Sequence, residues 1–253
     1  MGLGPLATFR RNVSLRPLLR LVDAHHDGGM HAQILLFNGF DPLDVVAPFE
    51  VLVAGSSAVG GELHVELVSA EGPRAVTGGS SGVPGAGSLT FQATGRLDPS
   101  KPGYVIVPGA LGPIEGDPDE GMETIPVLLA RFGETAAAPL MRRAMDNPEI
   151  TVATVCGGSL ALAMAGLLDG RHANTHHLGV DVLEATGAIP VNARVVDDGD
   201  LITAGGVTSG LDLALYLLNR SYGPRIALAV EEMFAFERRG TVWTNTGRQP
   251  QAM

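Results

Sequence analysis

The chain has 253 residues, one cysteine and a net charge of -10, with 45% apolar and 17% charged residues. The acidic balance speaks against nucleic acid, which needs basic patches, and a lone cysteine excludes an internal disulfide and any sign of an oxidising compartment. No stretch reaches the roughly 20 apolar residues of a membrane span, so a cytoplasmic globular domain with a sizeable core is the expectation.

Residues 1–30 carry Arg10, Arg11, Arg16 and Arg20 against only Asp23 and Asp27, and lack the apolar core of a secretory signal. They read as a poorly ordered tail, with a short packed helix over Ser14–Val22 as the alternative. Gln33–Phe37 is a continuous apolar run, the mark of a buried strand. A turn at Asn38–Pro42 leads into a helix over Leu43–Ala54. Leu63–Val68 alternates as a strand does, and residues 72–87 are rich in Gly, Ser and Pro and read as loops. Leu89–Ala93 is a short strand, and Tyr104–Val107 is a buried one that stops at Pro108-Gly109. Residues 111–134 hold a flexible acidic loop at 116–121 and a short helix over Met122–Phe132. Thr135–Met145 is a helix stopped by Asn147-Pro148, and Ile150–Val155 is a β-branched central strand. Helices follow at Gly158–Leu168 and Leu178–Thr186. A hairpin spans Ala193–Val196 and Leu201–Thr203, then helices Ser209–Ser221 and Pro224–Phe236. Strands alternating with helices predict a flavodoxin-like α/β fold: a doubly wound, mostly parallel sheet with helices on both faces. One domain over 31–243 is expected, with a flexible tail at 244–253.

The strongest chemical signal is Thr151-Val-Ala-Thr-Val-Cys156-Gly157-Gly158-Ser159, a strand running into cysteine, two glycines and a helix. A sharp strand-to-helix elbow needs small neighbours and unusual φ values. It would lift the sulfur above the carboxyl end of the sheet, where open α/β sheets bind ligands. A helix N-terminus there favours the thiolate, and the Gly157 N–H can steady an anion. The alternative is a small buried core cysteine; the Gly-Gly-Ser context favours the nucleophile.

Val155–His176 closely resembles the cysteine region of the ThiJ/PfpI superfamily, whose fold is glutamine-amidotransferase-like. Leu43-Asp44-Val-Val-Ala-Pro48, Val107-Pro108-Gly109 and Gly205–Asp212 agree with it. The similarity covers roughly 32–243 and is nearest the branch of isocyanide hydratases and sensor domains of AraC-type regulators. The resemblance implies an acidic partner for the cysteine, which falls on Asp44; the alternative is a helix-start residue that suits the dipole. Asp41 competes as the cap. The resemblance also implies a second oxyanion donor at Gly109, followed here by Ala110 where glycine is common; a plain turn is the alternative. It places His176 by the cysteine. Adjacent histidines on an extended segment point opposite ways, so only one of His176 and His177 would face it, and polar packing is the alternative for both. His177 stands where hydratase-like relatives often have tryptophan, and Gly157 where they often have threonine.

No ligand-spaced cluster and no dinucleotide glycine motif appear, so neither a metal nor a cofactor is expected. The first functional expectation is an isocyanide-hydratase-like enzyme acting on a small molecule. Cys156 would attack, Asp44 would act as general acid and then activate water, and a thioimidate would hydrolyse to an N-formamide. Related covalent chemistry on another electrophile (an aldehyde or glyoxal, an amide, a biosynthetic intermediate) is the alternative, with 111–134 as a substrate lid. A ligand or redox sensor is the third, disfavoured because 17 residues after the last predicted helix leave no room for a helix-turn-helix pair. A homodimer is the expected assembly, implied by the same resemblance.

Overall fold

Apolar and β-branched runs form the centre of one sheet in the computed structural model, which describes residues 29–248 other than 82, 84 and 117–122. Of the expected tails over 1–30 and 244–253, residues 1–28 and 249–253 lie outside the described residues, as does most of the acidic loop, whereas Met30 opens a strand and Thr244 closes one. The first strand, β1 (Met30–Leu36), is followed by α1 (Pro42–Ala58), β2 (Leu63–Ser69), β3 (Arg74–Thr77), β4 (Thr90–Ala93), β5 (Gly95–Arg96) and β6 (Gly103–Val107). Then come α2 (Ile125–Phe132), α3 (Ala137–Met145), β7 (Ile150–Val155), α4 (Gly158–Met164), β8 (His172–Ala173) and α5 (Val180–Ala185). The chain continues through β9 (Ile189–Pro190), β10 (Val195–Asp197), β11 (Leu201–Ala204), α6 (Ser209–Tyr222), α7 (Pro224–Phe234) and β12 (Trp243–Thr244).

Eight strands pair in the order β12-β10-β11-β7-β6-β1-β2-β5. Every pairing is parallel except β10 with β11, the hairpin anticipated across Asp197–Asp200. The central strands β6 and β7 have hardly a polar side chain and are buried almost throughout, as a sheet covered on both faces requires. α1, α6 and α7 pack together as one group of helices, and α2, α4 and α5 as another. The outcome is the mostly parallel α/β sheet with helices that the alternation of elements implied.

Helix ends differ from the periodic pattern for local reasons. α2 starts at Ile125 because Pro126 suits only the first turn of a helix. α4 stops at Met164, short of the expected Leu168, because Gly166 turns into the left-handed region at φ 70°. The extended segment expected to carry the two histidines ends before them, at β8, and His176 caps a single 3-10 turn over His177–Gly179. The two histidines therefore do not alternate across a strand.

Two glycines set how closely the elements of the elbow approach. A Cβ on Gly158 would collide with the Val107 carbonyl oxygen and stand 3.0 Å from that of Pro108. A Cβ on Gly210 would lie 3.2 Å from Pro48, so this glycine lets α6 sit close against α1. We expect Gly158→Ala to lower stability by about 1–3 kcal/mol, since backbone must move to admit it. Gly87→Ala, which meets nothing, is expected to stay within ~0.5 kcal/mol. Thermal unfolding of the two variants beside the wild type checks this, and equal midpoints would contradict it.

Candidate active site

Four parallel strands, β1, β6, β7 and β11, end side by side, and the segments leaving them carry the site. Cys156 leaves β7 with φ 54°, one of two non-glycine residues with positive φ among the described residues. That conformation costs roughly 1–3 kcal/mol and persists only where surroundings impose it. Here the Cys156 N–H donates to the Ala204 carbonyl at 2.9 Å. The Cys156 carbonyl accepts from Thr175 Oγ1 at 3.1 Å and Ser159 Oγ at 3.3 Å. The elbow is thus held from β11, from the segment after β8 and from α4.

Asp44, in the first turn of α1, is 0% exposed and lies beneath the thiol. Its Oδ2 accepts the Gly109 N–H at 2.9 Å, and the carboxyl is also hydrogen-bonded with the Cys156 thiol. Burial, and then the charge of Asp41, push the Asp44 carboxyl well above the ordinary carboxylate range. Cys156 is 8% exposed. Burial pushes its thiol up, and the Asp44 carboxylate adds to the rise, whereas the Gly157 N–H works against it. The expectation that the helix N-terminus would favour the thiolate is therefore corrected: α4 is too short and the sulfur too buried for its amides to outweigh burial and a carboxylate. The resting site is a protonated thiol against a buried carboxyl.

The anion donors also differ from expectation. The Gly109 N–H is turned on Asp44 rather than open to a substrate. Glycine is required at 109, because a Cβ there would sit 2.9 Å from Asp44 Oδ2 and 2.7 Å from Gly157 N. Ala110 bridges Phe40 through the pairs Asp41 N–H to Gly109 O, 2.9 Å, and Leu111 N–H to Gly39 O, 3.0 Å. That register leaves the Ala110 N–H without an acceptor among the described residues, on the wall of the cavity above Cys156.

The cavity has a volume of about 290 Å³. Cys156 and Gly157 lie at its floor; its walls include Leu129, Leu160, Met164, Leu178 and Val207, with Asp41 and His176 as the polar side chains. The segment 111–134 lines it through Leu111, Gly112, Ile114, Ile125, Pro126 and Leu129. Leu128 packs on Gly39 and Leu129 on Gly157, so α2 is seated on both loops of the site. The Leu129 Cδ1 lies 3.0 Å from where a side chain at 157 would begin, so leucine occupies the space a threonine there would need.

His176 lines the cavity and His177 does not; the two rings lie against each other with centroids 4.3 Å apart. The His176 Nδ1 accepts the Leu178 N–H at 3.3 Å, which puts the ring proton on Nε2. Burial and the neighbouring His177 lower the His176 pKa, keeping the ring neutral. Asp41 is the site residue that sequence reasoning passed over. It does cap α1, its Oδ1 accepting the Leu43 N–H at 2.9 Å, and it also faces the cavity. Its place two residues past the Asn38-Gly39 turn was the available signal. No group of three or more His, Cys, Asp or Glu among the described residues could hold a metal ion.

Residues 130–220 match the DJ-1/PfpI family. Isonitrile hydratase from Pseudomonas putida is 32% identical over 197 residues, covering 78% of this chain and 74% of that protein. The HTH-type transcriptional regulator CdhR from Pseudomonas aeruginosa is 28% identical over 211 residues, covering 81% of this chain but 54% of the regulator. The crystal structure of a ThiJ/PfpI family protein from Pseudomonas syringae superposes with a TM-score of 0.65 at 24% identity, covering 84% of this chain and 77% of that one. Drosophila melanogaster DJ-1beta gives a TM-score of 0.65 at 18% identity, over 83% of this chain and 99% of its own. The structural matches bear on fold, and the similarity to the hydratase carries the assignment: this chain belongs to the DJ-1/PfpI (ThiJ/PfpI) family.

Proposed function

We propose that the chain hydrates small isocyanides to N-formamides, with Cys156 as nucleophile and Asp44 as the holder of the thiol proton. The observation that carries this reading is the buried carboxyl–thiol pair at the floor of a small, largely apolar cavity. An isocyanide is neutral, so an apolar wall takes it without unpaired charge. In the reactive form the pair holds one proton. Sulfur bonds to the terminal isocyanide carbon, and the proton shared by Sγ and Asp44 ends on that carbon, giving a thioimidate. Negative charge developing in the attack meets the Ala110 N–H and the His176 Nε2–H. Water then adds to the thioimidate, the C–S bond breaks, and the N-formamide leaves with the thiol restored. The similarity to isonitrile hydratase supports the substrate class. A homodimer in the cytoplasm goes with the same reading.

The similarity to a transcriptional regulator favours a second reading, a ligand sensor built on the same cavity. Formamide production from tert-butyl, cyclohexyl and para-nitrophenyl isocyanides separates the two. We expect turnover by the wild type, none by Cys156→Ala, and a loss of roughly 10²–10⁴-fold in Asp44→Asn, the usual worth of a positioned acid or base. A folded wild type that binds isocyanides but makes no formamide would leave the sensor reading in place.

The pH behaviour of the thiol provides an independent check. Its pKa is raised by burial and then by Asp44, so the thiolate forms only above the ordinary thiol range of about 8.5. Alkylation of Cys156 by iodoacetamide is expected to be slow at pH 7 and to keep rising beyond pH 9. Removing the negative charge with Asp44→Asn lowers the thiol pKa, so its alkylation curve shifts to lower pH while turnover falls. A wild-type thiol fully reactive at pH 7 would overturn the charge assignment.

A further inference from the structure

We infer that Asp41, not Asp44, is the carboxylate that activates water in the second half of the reaction; this rests on the hydratase reading above. The two carboxyls occupy different environments. Asp44 has no exposed surface and does not line the cavity, so a water attacking a carbon bound to Sγ has no path to it. Asp41 lines the same cavity as Cys156 and Gly157. Its carboxylate accepts the N–H groups of Leu43 and Asp44, which fixes the side chain while carboxylate lone pairs remain for water. Its backbone is also fixed, by the 2.9 Å bond from Asp41 N–H to Gly109 O.

The other polar side chain of the cavity is unsuited to the task. A base must offer a lone pair to water. His176 has its Nδ1 occupied by the Leu178 N–H, so Nε2 carries the proton and enters the cavity as a donor. Among the described residues that line the cavity, Asp41 alone joins acceptor chemistry with access to the floor. The two carboxyls thus divide the reaction by solvent access: the dry one serves the thiol, the one on the wall serves water.

The protons balance on this assignment. Asp41 takes one proton from water as the oxygen bonds to the thioimidate carbon, and returns it to the nitrogen. The hydroxyl proton of the tetrahedral adduct then passes to Asp41 as the C–S bond breaks. That proton finally restores the Sγ–Asp44 pair. One water is consumed, and no oxidant or reductant is needed.

The test uses Asp41→Asn, whose amide oxygen keeps the helix cap, beside Asp41→Ala as a measure of the cap alone. Wild type, both Asp41 variants and Asp44→Asn are mixed with cyclohexyl isocyanide and followed by intact-protein mass and formamide release. We expect Asp41→Asn to accumulate an adduct of isocyanide mass on Cys156, with formamide release slowed about 10²–10⁴-fold. Asp44→Asn should form little adduct at all. Release at the wild-type rate by folded Asp41→Asn would overturn the assignment, as would loss of adduct formation itself. Acetylation of Cys156 by p-nitrophenyl acetate separates this from failure of the hydratase reading, because thioester hydrolysis needs water activation at the same sulfur and no isocyanide. If the wild type ignores isocyanides but Asp41→Asn still slows deacetylation, the hydratase reading falls and the role of Asp41 stands. Equal deacetylation rates would sink the role of Asp41.

Discussion

The site depends on keeping a carboxyl and a thiol together out of water. Asp44 is sealed under Cys156, tied to a backbone amide and hydrogen-bonded with the thiol. A buried ionised carboxylate carries a desolvation penalty of several kcal/mol, so the pair holds its shared proton tightly until a substrate takes it. The sulfur is quiet at rest, and its reactivity is tied to the arrival of a substrate able to accept a proton. This is a different design from an exposed cysteine that is permanently ionised at a helix N-terminus, and it limits side reactions with solvent-borne electrophiles.

The scaffold serves that pair by bringing backbone close to backbone. β6 and β7 lie side by side, so the loops after them meet at Gly109 and Gly157. A side chain at Gly109 or Gly158 would press on main-chain atoms, and one at Gly157 on the Leu129 side chain. Cys156, the one residue of the elbow that needs a side chain, takes the strained conformation instead. Three anchors on its backbone, drawn from several segments, keep that strain from relaxing.

Much of this was legible in the sequence. The apolar runs of β1, β6 and β7 announced a buried parallel sheet, and Val155-Cys156-Gly157-Gly158 announced an elbow, because both are local consequences of side-chain size. Asp44 followed from resemblance. What the chain did not reveal was set by tertiary contact. The direction of the Gly109 N–H depends on where α1 presents Asp44. The ionisation of Cys156 depends on burial, which no local pattern records. The backbone leaves β8 at Ala173, so the two histidine rings lie against each other instead of alternating across a strand, and His176 is the one on the cavity wall. Asp41 was read as a cap and is one; its second face belongs to a cavity assembled from five separate stretches of chain.

The seating of α2 has its own consequence for selectivity. Leu128 rests on the glycine that precedes the α1 loop and Leu129 on the glycine that follows the nucleophile, so the helix is seated on both halves of the catalytic floor and forms one wall of the cavity. Such a wall sorts molecules by bulk: each methylene that fits gains burial, worth about 0.8 kcal/mol, until the next one meets side chains already packed against the floor. Across a homologous series of alkyl chains such a boundary produces a steady climb in specificity and then an abrupt stop, a profile written by one helix that takes no part in the bond-making.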